Sequence, residues 1–89
     1  MRKIIFATSA INDMQRFKSG NQNVVFKILE LITAIQSDPF KGIGKPEPLK
    51  GDYHGAWSRR INDEHRIIYR VTADFIEIES CHGHYGQEK

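Results

Sequence analysis

Five side chains in the second half of this sequence belong to types that move protons or stabilise anionic transition states: Glu47, Lys50, Arg60, Arg66 and His84. A carboxylate can act as a base, guanidinium and ammonium groups can hold negative charge building on phosphorus, and an imidazole can return a proton near neutral pH. Those are the needs of RNA strand scission by internal transesterification. The 2′-hydroxyl loses its proton and attacks the adjacent phosphate, and the departing 5′-oxygen is protonated. The set supplies this without a metal. Spacing alone does not select these five, because many small α+β domains contain the same residue types. The elements that must position them carry more information.

With 89 residues, the chain has room for one domain of two packed layers. Its 39% hydrophobic and 27% charged residues are ordinary for a globular protein, and the apolar ones fall in periodic clusters. One cysteine, Cys81, excludes an internal disulfide. Without a secretory signal or an apolar run of membrane-spanning length, the sequence reads as cytosolic and not membrane-bound. The net charge of +2 says little, but its distribution says more. Between Phe40 and Arg70 lie Lys41, Lys45, Lys50, Arg59, Arg60, Arg66 and Arg70, against Glu47, Asp52, Asp63 and Glu64. A basic sheet face suits phosphate oxygens, although on charge alone a solvated charged face is the plainer reading.

Arg2 to Phe6 reads as a strand, after which Thr8 or Ser9 can cap a helix running to Lys18 on Ala10, Ile11, Met14 and Phe17. Gly20 breaks it. A second helix carries the stripe Val25, Ile28, Leu29, Ile32 and Ile35, widened by Val24 and Leu31, and stops before Ser37-Asp38-Pro39. The two form a hairpin over a sheet. From Pro39 to Lys50, three prolines and two glycines in twelve residues predict a loop without regular structure, ordered by the anchors Phe40, Ile43 and Leu49. Three strands follow, at Tyr53–Asn62, Arg66–Thr72 and Phe75–Ser80, joined by turns at Asn62 to His65 and at Ala73-Asp74. The expected fold is α+β: strand, two helices, three strands, with an antiparallel sheet and the helical hairpin on one face.

Strand alternation sorts the side chains. Trp57, Ile61, Ile67, Tyr69 and Val71 share odd parity and form an inner face, leaving Ser58, Arg60, Arg66 and Arg70 outside with nothing apolar among them. A three-residue loop at Asp63 to His65 brings Arg60 and Arg66 onto one face. Arg59 falls on the inner side, so it must snorkel at an edge or the alternation must slip. Trp57 reads as core, and His65 as a residue that helps the turn or packs near the site, with no catalytic task.

Four motifs then appear in order: Gly44-Lys-Pro-Glu-Pro-Leu-Lys50, Gly55-Ala-Trp-Ser-Arg-Arg-Ile61, Glu64-His-Arg-Ile-Ile-Tyr69 and Cys81-His-Gly-His-Tyr85. With Asp38-Pro39-Phe40 after the second helix, they resemble the YoeB/Txe branch of the RelE-type toxins through Tyr85. The resemblance implies a RelE-like fold and a ribosome-dependent endoribonuclease that cuts messenger RNA in the A site. It assigns Glu47 as general base, Arg66 as the cation stabilising the transition state, and His84 as general acid. By the same resemblance Lys50 and Arg60 hold backbone phosphates, and Tyr85 stacks on or orients a base. It implies no cofactor and no metal; Cys81-His82-Gly83-His84 lacks the second ligand cluster of a structural zinc site.

The implied partners are the ribosome with its messenger and a YefM/Axe-like antitoxin that occludes the site. Operator DNA is reached only through that antitoxin, and self-association of the chain stays open. Residues 86–89 run past the family's usual His-Tyr end and read as a disordered tail of a single domain spanning 1–89. Two other classes fit the basic face: a non-catalytic RNA- or ribosome-binding module, and a regulatory partner acting through an antitoxin on DNA.

Overall fold

The computed structural model describes residues 1–18, Gly20 and 22–83. Strand β1 (Lys3–Phe6) is followed by helices α1 (Thr8–Lys18) and α2 (Gln22–Ser37), then by β2 (Glu47–Pro48), a 3₁₀ turn (Gly51–Tyr53), β3 (Ala56–Arg60), β4 (Arg66–Val71) and β5 (Phe75–Ser80). The sheet order is β1-β5-β4-β3-β2. β3, β4 and β5 form the expected antiparallel meander, whereas β1 pairs in parallel with β5, Lys3 opposite Phe75 and Phe6 opposite Ile78. The sheet is therefore mixed. Parallel neighbours need a long crossover, which the helical hairpin begins. No described helix is long and apolar enough to cross a membrane.

The helices cover one face. Ala10 and Phe17 of α1 and Val24, Ile28, Leu31, Ile32 and Ile35 of α2 are buried against Ile61, Ile67, Tyr69, Ile76, Ile78 and Cys81. The apolar stripe of α2 is thus centred nearer Leu31 than the sequence suggests, and Leu29 is left outside with Phe26. Ile11 likewise faces outward. Of the two candidate caps of α1, Ser9 does not serve: its hydroxyl donates to the Glu79 carbonyl (2.5 Å) and ties the helix start to β5.

Three strand-level expectations are corrected. The segment from Pro39 to Lys50 holds the two-residue strand β2, and Pro48 fits there because an edge strand tolerates a missing N–H. β3 begins at Ala56, since Gly51 (φ 65°) and Gly55 (φ 93°) turn the chain just before it and Tyr53 lies in the 3₁₀ turn. Finally, the outer sheet face is not purely polar. Ile68 is fully buried there beneath Leu49 and Ala56, with Tyr53 packed beside them.

Two buried acidic groups give the fold an alkaline weakness. Burial pushes the Cys81 thiol from 9.0 up to about 12, with the Asp13 carboxylate adding to the shift. Burial also raises the Tyr69 phenol above 10.0, opposed in part by its hydrogen bond from Arg59. Both pKa values lie higher in the folded than in the unfolded chain. Their contribution is complete below the unfolded values and is lost as pH rises from about 9 toward 12, at roughly 1.4 kcal/mol per pH unit for each group titrating only in the unfolded chain. Urea midpoints at pH 8 and pH 10.5 should therefore differ, and the difference should shrink in Cys81→Ala. An unchanged difference would mean that Cys81 is not the group responsible.

Candidate active site

The turn between β3 and β4 sets the centre of the site. The Asn62 side-chain oxygen accepts the backbone N–H groups of Glu64 (2.9 Å) and His65 (2.8 Å), closing the turn over residues 62–64. The register that results places Arg60 directly opposite Arg66. This confirms that the two arginines share the outer face, with the turn one residue earlier than the sequence suggests. Like charges in directly opposed positions destabilise a sheet. Neither guanidinium forms a salt bridge with any described carboxylate. Two carbonyls, of Asn62 (2.9 Å) and His65 (3.3 Å), hold Nη1 of Arg66, leaving Nε and Nη2 unengaged by any described residue. Arg60 is exposed.

Glu47 joins them from the sheet edge. It stands opposite Ser58, and Ser58 is two residues from Arg60 on β3, so all three share the outer face. Glu47 is exposed. Lys50 is exposed past the end of β2, where its carbonyl accepts the Tyr53 N–H (3.2 Å) and opens the 3₁₀ turn. His84 and Tyr85 lie outside the described residues. The chain reaches the residue before them at Gly83, whose carbonyl accepts the N–H of Arg66 (2.9 Å). Glu47, Arg60, Arg66 and the approach to His84 are therefore assembled by neighbouring elements from four separate sequence motifs.

Arg70 is different. Its Nε lies 2.5 Å from Glu79 Oε2 and its Nη1 donates to the His54 carbonyl (3.2 Å). That pairing neutralises the far end of the outer face and confines the open positive charge to the end carrying Arg60 and Arg66.

Sequence reasoning missed the residue that holds the loop before Glu47. Arg59 neither snorkels nor shifts the alternation: it is fully buried. Its Nη2 donates to the carbonyls of Asp38 (2.6 Å) and Lys41 (2.9 Å), its Nη1 to that of Ile43 (3.1 Å), and its Nε to the Tyr69 hydroxyl (3.1 Å). Tyr69 in turn donates to the Pro39 carbonyl (2.7 Å). One buried fork thus satisfies the inward carbonyls of a loop that has no helix or sheet partner for them. Phe40 and Ile43, the expected anchors, are largely exposed, although Phe40 packs on Trp57 (ring centroids 5.0 Å apart) and Leu49 is buried as predicted. The loop closes where Gly44 accepts the Arg60 N–H (2.6 Å). Gly44 has φ 84°, and a Cβ there would lie 2.8 Å from the Leu31 side chain, so only glycine fits. The signal for Arg59 was present in the sequence as its wrong parity.

The carboxy-terminal motif is tethered as well. Asp13 on α1 accepts the Cys81 N–H (3.0 Å), and His65 Nδ1 accepts the Gly83 N–H (2.9 Å). His65 forms a triangle of rings with His82 (4.5 Å) and Phe17 (5.0 Å, edge-on), which also meet each other at 5.8 Å.

The two-helix, five-stranded architecture with an open cationic sheet end defines a small α+β domain of the RelE-like kind. The sequence matches the model of the YoeB-like toxins of bacterial type II toxin–antitoxin systems over residues 6–85, and the chain belongs to that family. It is 45% identical to Toxin YoeB of Streptomyces coelicolor over 83 residues, which is 93% of this chain and 99% of the relative. Among solved structures it resembles the YoeB dimer from Staphylococcus aureus (TM-score 0.86, 42% identity, 94% of this chain and 98% of the other). It also resembles the toxin in the YoeB–YefM complex from Staphylococcus aureus (TM-score 0.84, 43% identity, 96% and 99%).

Proposed function

We propose that this toxin is an endoribonuclease that works on the ribosome, cutting messenger RNA in the A site by general acid–base transesterification and thereby stopping translation. The observation that carries this reading is the placement of one carboxylate and two arginines on one open sheet face, the arginines opposed to each other without a described carboxylate partner. A site that concentrates positive charge at a cost in stability is suited to an anionic ligand. Glu47 takes the proton of the 2′-hydroxyl. The edge of the Arg66 guanidinium that no described residue engages meets the charge that develops on the phosphorane, and His84 protonates the departing 5′-oxygen. Arg60 and Lys50 hold flanking phosphates, and Tyr85 stacks on a base.

A domain of this size has little surface with which to hold an RNA strand, so the ribosome supplies the positioning. Relatives are solved as a complex with YefM and as a dimer. A YefM-like antitoxin is accordingly the proposed inhibitor, covering the site and linking the pair to operator DNA, within the cytoplasm.

Primer extension on a defined messenger in a translating extract tests the reading. New 5′ ends inside the reading frame are expected on addition of the chain, and none when ribosomes are omitted. Arrest of translation without new ends would replace the proposal with a binding module that blocks the A site through Arg60 and Arg66.

A further inference from the structure

Glu64-His65-Arg66 contributes one residue, Arg66, to the proposed chemistry, yet the structure engages its neighbour just as specifically. Gly83 is gripped on both sides of its backbone by consecutive residues of the β4 start: its N–H donates to Nδ1 of His65 (2.9 Å), and its carbonyl accepts the N–H of Arg66 (2.9 Å). Gly83 has φ 85°, a conformation that other residues rarely adopt, and it directly precedes His84 in the chain. The imidazole is itself fixed. Phe17 of α1 meets it edge-on at 5.0 Å and His82 lies against it at 4.5 Å, while the backbone N–H of His65 donates to the Asn62 side-chain oxygen (2.8 Å).

We infer that His65 is a positioning residue for the reaction: its Nδ1 is the acceptor that sets where the chain leaves Gly83 toward the proposed acid His84, in register with Arg66. The inference rests on the endoribonuclease reading. Its physical logic is that an acid and a cation serving the same phosphate must be held to within a fraction of an ångström. A misplacement of about 1 Å costs on the order of 10²-fold in rate. Because His65 and Arg66 are adjacent, the same two-residue step that places the guanidinium also places Gly83. Accepting the Gly83 proton requires Nδ1 to be bare. The ring proton is then on Nε2, on the side of the exposed Glu64 carboxylate at 3.9 Å.

Two substitutions separate the acceptor from the ring. His65→Phe keeps an aromatic ring against Phe17 and His82 but has no acceptor; His65→Asn gives up the ring but places an amide oxygen near the position of Nδ1. In single-turnover cleavage on programmed ribosomes, His65→Phe should lose about ten- to a hundred-fold in the cleavage rate with the concentration for half-saturation little changed. His65→Asn should stay within a few-fold of the native chain. Equal losses in both, or none in His65→Phe, would overturn the inference.

A measurement on the native chain needs neither variant nor activity: a through-hydrogen-bond ¹⁵N–¹⁵N coupling between the Gly83 amide and His65 Nδ1. Its presence is expected, and its absence removes the contact and the inference with it, even where His65→Phe fails to fold. A chain with the coupling that makes no cuts would sink the endoribonuclease reading while leaving the contact in place.

Discussion

Replacement of Glu47 by alanine is expected to slow messenger cleavage by about 10²–10⁴-fold while leaving the fold intact. The side chain is exposed on a two-residue edge strand, and no described residue pairs with it through a salt bridge, so its removal disturbs little. Its proposed task is the removal of the 2′-hydroxyl proton, for which a charged carboxylate is needed. Glu47→Gln keeps shape and polarity but not basicity, and should fall as far as Glu47→Ala. His84→Ala should show a loss of the same order through the departing oxygen, and the double variant should lose less than the product of the two, since residues acting as a unit are not additive. Single-turnover rates on programmed ribosomes measure all three. Cleavage by Glu47→Gln at the native rate would exclude this glutamate as the base, leaving it a bystander on the sheet edge.

Arg59→Met is expected to lower the melting temperature by 15 °C or more, a loss of roughly 3–5 kcal/mol. Methionine fills much of the space but leaves the carbonyls of Asp38, Lys41 and Ile43 facing a buried site without a donor. An unsatisfied buried acceptor costs about 1–3 kcal/mol, and only part of that total is recovered if the loop opens to water. Small domains have about 5–15 kcal/mol in all, so the variant should sit near the edge of folding. Arg59→Lys should recover a fraction, since one ammonium cannot reach the three carbonyls and the Tyr69 hydroxyl that the planar fork spans.

The neighbouring residue makes the contrast. Arg60→Met removes an exposed charge that faces Arg66 across the strands, and should leave the melting temperature unchanged or raise it slightly while weakening cleavage. Thermal melts followed by circular dichroism decide the matter. Two adjacent arginines with the same melting behaviour would mean that Arg59 is not the residue holding the loop.

These two cases mark the boundary between what the chain declares in one dimension and what only folding settles. Periodicity announced both helices, and alternation announced the β3–β5 meander, because each reflects a local rule: 3.6 residues per turn for one, two per repeat for the other. The same alternation put Arg60 and Arg66 on a common outer face before any pairing was known. The four motifs brought Glu47, Lys50, His84 and Tyr85 into consideration by family resemblance, which spacing alone does not do. The parallel seating of β1 beside β5 was not legible, since a crossover's destination depends on which sheet edge is free once the meander has formed.

Arg59 was misread, and the Gly83 contact of His65 missed, for a related reason. Parity assigned Arg59 to an inner face where a charge has no place, and the resolution, a loop 16 to 21 residues earlier that turns its carbonyls inward, exists only in three dimensions. His65 was read as helping the turn or packing near the site; it flanks the turn, its N–H donating to Asn62, and its Nδ1 accepts the N–H of Gly83, eighteen residues later. The sequence by itself determined which residue types could do acid–base chemistry and which strands would carry Arg60 and Arg66. Tertiary structure decided which polar groups find partners, because a buried donor or acceptor is satisfied by whatever the fold brings within 3 Å, not by its neighbours along the chain.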